Sequence, residues 1–220
     1  MGRVRVRQHV NPLSDKYHRA ITFPHWEDIY SNSAQPLHLD IGCARGKFLL
    51  KMAPLYPETN FLGIEIREPL VIEANKYRDC LGLTNLYFLF CNINPFLNSL
   101  LASLNSDVLQ WVTIQFPDPW FKYRHLKRRV VQPELVDTLA QYLVDRGTVF
   151  LQSDIKIVAQ EMGERFLEHP KFEKQHSENW LSENPFSIAT EREIASLNKG
   201  KSVYRLLLKT SNKPISLSQE

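Results

Sequence analysis

The sequence predicts an α/β protein built on one mostly parallel, twisted sheet with helices on both faces. Short apolar runs of 5 to 9 residues recur from residue 37 onward, and helical patterns separate them. The runs are apolar throughout rather than alternating, which marks strands covered on both faces. The length of 220 residues suits one domain, with at most a small appendage. A chain of this size buries roughly 70% of its unfolded surface, so it needs neither a disulfide nor a metal to fold.

Residues 1–35 hold no clear periodic element and read as a basic arm followed by an aromatic segment with Phe23, Trp26 and Tyr30. LHLDI (37–41) is the first strand, and GKFLLKMAPL (46–55) a helix closed by Pro57. NFLGIEI (60–66) is the second strand, followed by a helix over 68–82. LYFLFC (86–91) is the third, followed by a short helix near 95–104, and VLQWVTIQF (108–116) is the fourth. The next helix spans 133–145, because Pro133 suits its first turn and Gly147 follows its end. TVFLQS (148–153) is the fifth strand and 156–168 a helix; FEKQH (172–176) and SVYRLLLK (202–209) are the last strand candidates. The folded domain is expected over 36–212, with 213–220 as a tail.

The formal net charge of +3 is unevenly spread. Residues 1–19 carry five Lys or Arg against one acid, and residues 122–129, KYRHLKRR, carry five against none, which leaves the rest of the chain at −6. Two concentrated basic segments on an acidic body form an anion-binding footprint, and one of them adjoins an unusual FPDPW stretch, which points to nucleic acid. No apolar run reaches about 18 residues, so no transmembrane helix is expected. The N-terminus lacks the apolar core of a signal peptide, and Val6 stands where myristoylation needs Ser or Thr. Cys43, Cys80 and Cys91 are odd in number, scattered and free of zinc spacing, so a reduced, cytoplasmic setting is the simplest reading. The histidines form no ligand spacing, and no metal is expected.

Ligands of parallel sheets bind beyond the carboxyl ends of the strands. The first strand ends in Asp40-Ile41-Gly42-Cys43-Ala44-Arg45-Gly46, whose small residues at alternate positions let a ligand approach the backbone. Its G-x-A-x-G spacing, preceded by an acid, resembles the first motif of the Rossmann-like S-adenosyl-L-methionine (SAM) methyltransferases. Glu65, 25 residues after Asp40, ends the second strand, where a carboxylate can accept both hydroxyls of a ribose. Asn92, after the third, either meets an adenine edge or shapes a turn. After the fourth strand, Pro117 and Pro119 hold Asp118 in a stiff loop. Trp120 and Phe121 offer flat faces on which a base can stack, and Lys122 and the cations beyond it can take phosphates. Asp154 ends the fifth strand, where it either faces the ligand or caps the next helix. Thr190-Glu191-Arg192-Glu193 fits a capping box as well as a binding segment.

FPDPW followed by K-x-R-H-x-K-R-R resembles the signature of the bacterial tRNA (guanine-N7-)-methyltransferases. RQHVNPL (7–13), LDIGCARGKF (39–48), FLGIEI (61–66) and the T-x-x-E segment at Thr190 agree with that family in order along most of the chain. The resemblance implies a Rossmann-like fold with a last antiparallel strand, SAM as cofactor and tRNA as partner, in a monomer or homodimer. It implies methylation of guanine N7 at position 46, in the variable loop. Carried over by position, Asp40, Gly42, Glu65, Asn92 and Asp118 would bind the cofactor, and Asp118 would also be catalytic. Lys122, Asp154, Thr190, Glu191, Arg192 and Glu193 would bind the substrate, and Arg124, Lys127, Arg128 and Arg129 would contact tRNA phosphates. The chain departs from the pattern at Asp40 (commonly Glu), Ala44 (Gly), Asn92 (Asp), Phe121 (Pro) and Glu191-Arg192 (apolar or aromatic). Two other readings fit the same residues: a SAM enzyme acting on another RNA, and a catalytically silent RNA-binding protein of this fold. Guanine N7 carries a lone pair and no proton, so the residues need supply no general base; positioning and charge complementarity suffice.

Overall fold

The computed structural model describes residues 10–211. The basic residues Arg3, Arg5 and Arg7 of the expected arm, and the expected tail, lie outside these. In chain order the elements are α1 (Trp26–Ile29), β1 (Leu37–Ile41), α2 (Lys47–Met52), β2 (Asn60–Glu65), α3 (Glu68–Cys80), β3 (Leu86–Phe90), α4 (Ile93–Ala102) and β4 (Leu109–Gln115). There follow α5 (Pro133–Tyr142), β5 (Thr148–Ser153), α6 (Lys156–Glu168), β6 (Phe172–Lys174), α7 (Glu191–Leu197) and β7 (Tyr204–Thr210). Each of the five central strands expected from the apolar runs is present, shorter by at most a residue at either end.

The sheet runs β3-β2-β1-β4-β5-β7-β6. β1 to β5 are parallel, and β7 is antiparallel to both neighbours. The strand order reverses between β1 and β4, and that reversal opens a crevice at the carboxyl edge. Leu37, Leu39 and Ile41 of β1 join one core with Leu97 of α4, Leu139 of α5 and Phe166 of α6. Phe48 of α2 and Val71 of α3 build a second core with Phe61 and Phe88. Because side chains alternate along a strand, His38 and Asp40 point away from the first core, and His38 packs against Phe48 and Phe61. Of the aromatic segment before β1, Trp26 and Tyr30 are core residues; Trp26 donates to Ser103 and Tyr30 to the Phe61 carbonyl.

The segment after Thr190 is a helix, α7, which the hydrophobic pattern does not announce. α7 buries Glu193 and Ser196 and exposes Ile194 and Leu197, the reverse of an amphipathic surface helix. It begins where the capping box stands: the Thr190 hydroxyl accepts from the Glu193 N–H at 3.1 Å. The basic run also has structure, a 3-10 helix over Tyr123–Arg128.

Candidate active site

Loops from the carboxyl edge enclose a cavity of about 1060 Å³. Its wall comes from the loop after β1, the loop after β4, Asp154 after β5, and Thr190 to Arg192 at the start of α7. A smaller lobe of about 140 Å³ lies on the β2–β3 side, against Glu65, Asn92 and Trp120. Gly42, Arg67 and Asp118 line both, so Asp118 stands where the two meet.

The loop after β1 winds through three left-handed residues, Gly42 (φ 84°), Ala44 (φ 51°) and Gly46 (φ 67°). A Cβ at Gly42 would meet nothing within 4 Å, so the backbone there is open to a ligand. At Gly46 a Cβ would sit 2.4 Å from the Phe88 ring, so this glycine serves the packing of α2 on the sheet. Glu65 fastens the loop, accepting from the Ala44 N–H at 3.0 Å. The same buried carboxylate accepts from the Arg67 backbone N–H (3.0 Å), Nε (2.9 Å) and Nη2 (2.8 Å). Sequence reasoning passed over Arg67; its one signal is its place two residues beyond a strand-end acid. Its pKa is raised, first by the hydrogen bond to Glu65 and further by the charges of Glu65 and Asp118.

Asp40 is buried beneath this loop. The Thr113 hydroxyl donates to it at 2.6 Å, and the Gln115 amide approaches at 3.5 Å. Burial pushes its carboxyl up to about 6, with the Glu65 charge adding and the two hydrogen bonds opposing. Thr113 spends its proton on Asp40, so the contact of 3.1 Å to His38 makes the histidine Nε2 the donor. Burial holds His38 down to about 3, which keeps it neutral for that role.

The loop after β4 is rigid in the way its two prolines predict, and it is also strained. Phe116 (φ 51°) and Trp120 (φ 42°) are both left-handed, which bulky residues rarely adopt. The Arg129 Nε donates to the Pro119 carbonyl at 2.8 Å, and Arg129 pairs with Glu161 of α6. Trp120 carries the Arg128 guanidinium over its ring at 4.9 Å and His125 edge-on at 5.5 Å. The stacking surfaces presented to solvent are instead Phe121, 69% exposed, and Tyr123, 88% exposed. Lys122, Arg124 and Lys127 are exposed, whereas Arg128 and Arg129 turn back on their own loop. The His125 pKa is lowered, by desolvation first and then by the charges of Arg128, Arg124 and Lys122.

On the far side of the cavity, Asp154 accepts from Arg192 at 2.7 Å and from the Ser196 hydroxyl at 3.0 Å. Glu191 pairs with Lys47 across from α2. Glu193 is buried and does not line the cavity; it accepts from Arg205 (2.7 Å), Asn184 (2.8 Å) and Gln152 (3.2 Å). Of the expected substrate-binding residues, Asp154, Thr190, Glu191 and Arg192 line the cavity, and Lys122 lies outside its wall. Asn92 lines the smaller lobe but gives its amide N–H to the Pro12 carbonyl at 2.9 Å, which ties the start of the described chain to the sheet edge. The donor set fits SAM: Ile41, Ile64 and Ile93 give the smaller lobe apolar walls for an adenosyl group, and Asp40, Glu65 and Asp118 give acidic surroundings for a sulfonium. Among the described residues no cluster of His, Cys, Asp or Glu is arranged to hold a metal ion, and no helix is long and apolar enough to cross a membrane.

Residues 34–206 match the family model described as "Putative methyltransferase". A tRNA (guanine-N(7)-)-methyltransferase of Microcystis aeruginosa is 62% identical over 95% of this chain and 99% of its own. One of Synechocystis is 55% identical over 94% of this chain and 98% of its own. Among solved structures, the antibiotic-resistance methyltransferase Kmr superposes with a TM-score of 0.58 at 13% identity, over 90% of this chain and 98% of that one. PKMT2 of Rickettsia typhi, solved with AdoHcy, superposes with a TM-score of 0.54 at 12% identity, over 86% of this chain and 52% of that one. Both structural likenesses speak to the fold.

Proposed function

The chain belongs to the tRNA (guanine-N(7)-)-methyltransferase family, and on that premise we propose how its cavity moves a methyl group from SAM to N7 of guanine in tRNA. The observation that carries the reading is the place of Asp118: on a stiff loop, at the meeting of a small lobe and a large one, with the basic run leaving from the same loop. SAM, when bound, supplies a methyl group on a sulfonium. In this reading Glu65 accepts from the ribose hydroxyls, Asp40 and the backbone at Gly42 face the rest of the cofactor, and Asn92 borders the adenine.

Asp118 removes no proton, because N7 has none to lose. Its carboxylate offsets positive charge as that charge passes from sulfur to the purine. Guanine carries N1–H and the exocyclic amine on the edge opposite N7, so an acceptor for those donors, which adenine lacks in that arrangement, falls to Asp154 on the far side of the cavity. Asp154, already receiving Arg192 and Ser196, supports the substrate side through that pair, with Thr190 and Glu191 beside it. Glu193 acts through α7, which it anchors to Arg205. Lys122, Arg124 and Lys127 meet phosphates, while Phe121 and Tyr123 offer faces to unpaired bases beside the target. We place the reaction at guanine 46 of the variable loop, in the cytoplasm, by a monomer or homodimer.

The test incubates the purified chain with labelled SAM and an unmethylated tRNA transcript, then cleaves the strand chemically at 7-methylguanosine. Scission at position 46, and none in a transcript with adenine there, is the expected result. Label at another site, or SAM binding without transfer, would overturn the reading.

A further inference from the structure

The run KYRHLKRR reads in sequence as one uniform cationic patch, yet its last residue faces the other way. Arg129 is 8% exposed and does not line the large cavity. Its Nε donates to the Pro119 carbonyl, its Nη1 pairs with Glu161, and Glu161 is itself held by Arg165 at 3.2 Å. The backbone of Arg129 is fixed at both ends: its N–H donates to Leu126 (3.0 Å), and its carbonyl accepts from Gln132 (2.8 Å). Arg129 and Glu161 reach Pro117 and Asp118 through a narrow seam shared with Val158 and Met162 of α6.

The loop needs such a tie. Pro117 and Pro119 have no N–H to donate, so most of the loop's fastening must come through its carbonyls. Phe116 and Trp120 hold strained left-handed angles that persist only where surroundings enforce them. The Phe116 N–H donates to the Gln152 carbonyl at 2.8 Å, which secures the entry; the Arg129 bond to Pro119 secures the exit. A guanidinium can bond a carbonyl through Nε and a carboxylate through Nη at once, and an ammonium cannot reproduce that fork.

We infer that Arg129, tied to Glu161, is a positioning residue for methyl transfer: it holds the Pro117–Trp120 loop so that Asp118 keeps its place where the two lobes meet, and it makes no tRNA phosphate contact. The inference rests on the reading of Asp118 given above. It divides the basic run by task, with Lys122, Arg124 and Lys127 addressing RNA and Arg129 addressing the loop.

The experiment compares Arg129→Lys, Arg129→Ala, Glu161→Gln and the Arg129→Lys, Glu161→Gln double variant with Lys127→Ala, measuring kcat, KM for tRNA, and tRNA affinity over a salt series. Arg129→Lys keeps the charge and loses the fork. It is expected to lower kcat tenfold or more, with KM within about twofold and the salt dependence parallel to wild type. Glu161→Gln is expected to move kcat in the same direction, and the double variant to lose less than the product of the two, as residues in one bonded unit do. Lys127→Ala should flatten the log–log salt slope by about 0.7–0.9. Val136→Ala, a core truncation in α5 chosen to match the melting temperature of Arg129→Lys, should keep its kcat; an equal loss of kcat there would mean general destabilisation and overturn the inference. Wild-type kcat in Arg129→Lys, or a salt slope flattened by Arg129→Ala as by Lys127→Ala, would overturn it too. Asp118→Asn measured in parallel separates the two readings: full turnover there fails the site itself, whereas an inactive Asp118→Asn beside a fully active Arg129→Lys fails only the inference.

Discussion

The loops after β1 and β4 meet at the same cavity and solve the same problem with opposite materials. Both carry residues other than glycine in the left-handed region, Ala44 in the first and Phe116 and Trp120 in the second. The first has small residues at alternate positions, so a ligand can reach its backbone, and its fastener is Glu65, which itself faces the smaller lobe. In the proposed reading fastening and binding therefore share one carboxylate. A carboxylate offers about four acceptor sites, and Glu65 already receives the Ala44 N–H and three donors from Arg67. A ribose diol has to share with the Arg67 guanidinium or displace it. The second loop is stiff and bulky, and its fastener is Arg129, anchored on Glu161 of α6 and outside the large cavity. In the proposed reading the observed fastening and the chemistry fall to different residues there, Arg129 and Asp118.

The widest consequence is at Asp118. Asp118→Asn should keep the fold, because it barely changes the side chain's size and leaves the Arg129 bond to the Pro119 carbonyl in place. On the proposed reading it replaces a charge with an amide at the point where positive charge passes, so kcat should fall about 10²–10³-fold. Methylation of tRNA at saturating SAM measures it, and near-wild-type turnover would dissolve the distinction between the loops. At the first loop the shared role of Glu65 predicts a mixed phenotype. Glu65→Ala should lose charge-assisted bonds worth about 1.5–3 kcal/mol of SAM binding, and it also frees the Ala44 N–H, lowering the melting temperature. Glu65→Gln keeps an acceptor for that N–H, so it should recover much of the stability and little of the affinity. Calorimetric titration with SAM beside thermal melts reads both; if affinity and stability move together in the two variants, Glu65 is a fastener alone.

A smaller effect comes from Asp40, beneath the same loop. Its folded carboxyl lies at about 6 against an ordinary value of 3.8, so its share of folding stability is present below pH 4 and lost as pH rises towards 6. A cationic ligand reverses the preference, because it favours the ionised form. SAM affinity should therefore climb severalfold between pH 5 and 7, and Asp40→Asn should flatten the climb. Affinity is a better readout than melting here. His38, held down to about 3, changes stability in the opposite sense over pH 3 to 6.5 but stays neutral in the folded protein above pH 5. A pH-independent SAM affinity in the wild type would remove Asp40 from the cofactor's surroundings.

What the sequence disclosed and what it hid follow from the kind of signal each element carries. The central strands and the helices α3 to α6 write their burial as apolar runs and periodic faces, so they could be read directly. α7 could not, because its buried face is Glu193 and Ser196, satisfied by Arg205 and Asp154 from other elements. The strand-end placement of Asp40, Glu65 and Asp118 was legible because parallel sheets put ligands there. The direction of a side chain within a charged run was not, and nothing in KYRHLKRR distinguishes Lys127 from Arg129. Arg67 was hidden for a related reason: its partner, Glu65, already had an assignment, and sequence spacing does not show that a carboxylate is shared.

Ala44 allows the finest test of the comparison, since it is the one residue of the G-x-A-x-G turn that carries a side chain in a left-handed conformation. An L-residue there costs about 1–2 kcal/mol. Glycine removes that cost but gives back about 0.4–1 kcal/mol through the greater freedom of the unfolded chain. Ala44→Gly should therefore stabilise the fold by about 0.5–1 kcal/mol, which at this size raises the melting temperature by about 2 °C. The bond from residue 44 to Glu65 uses the backbone N–H and survives the change, so SAM affinity should stay within about twofold. A thermal melt and a SAM titration on one preparation suffice. A lower melting temperature would mean that the Ala44 methyl contributes packing worth more than its strain. A weaker SAM affinity at unchanged stability would mean that the side chain, and not only the Glu65 bond, keeps the first loop in its binding shape, which would bring it closer in kind to the second.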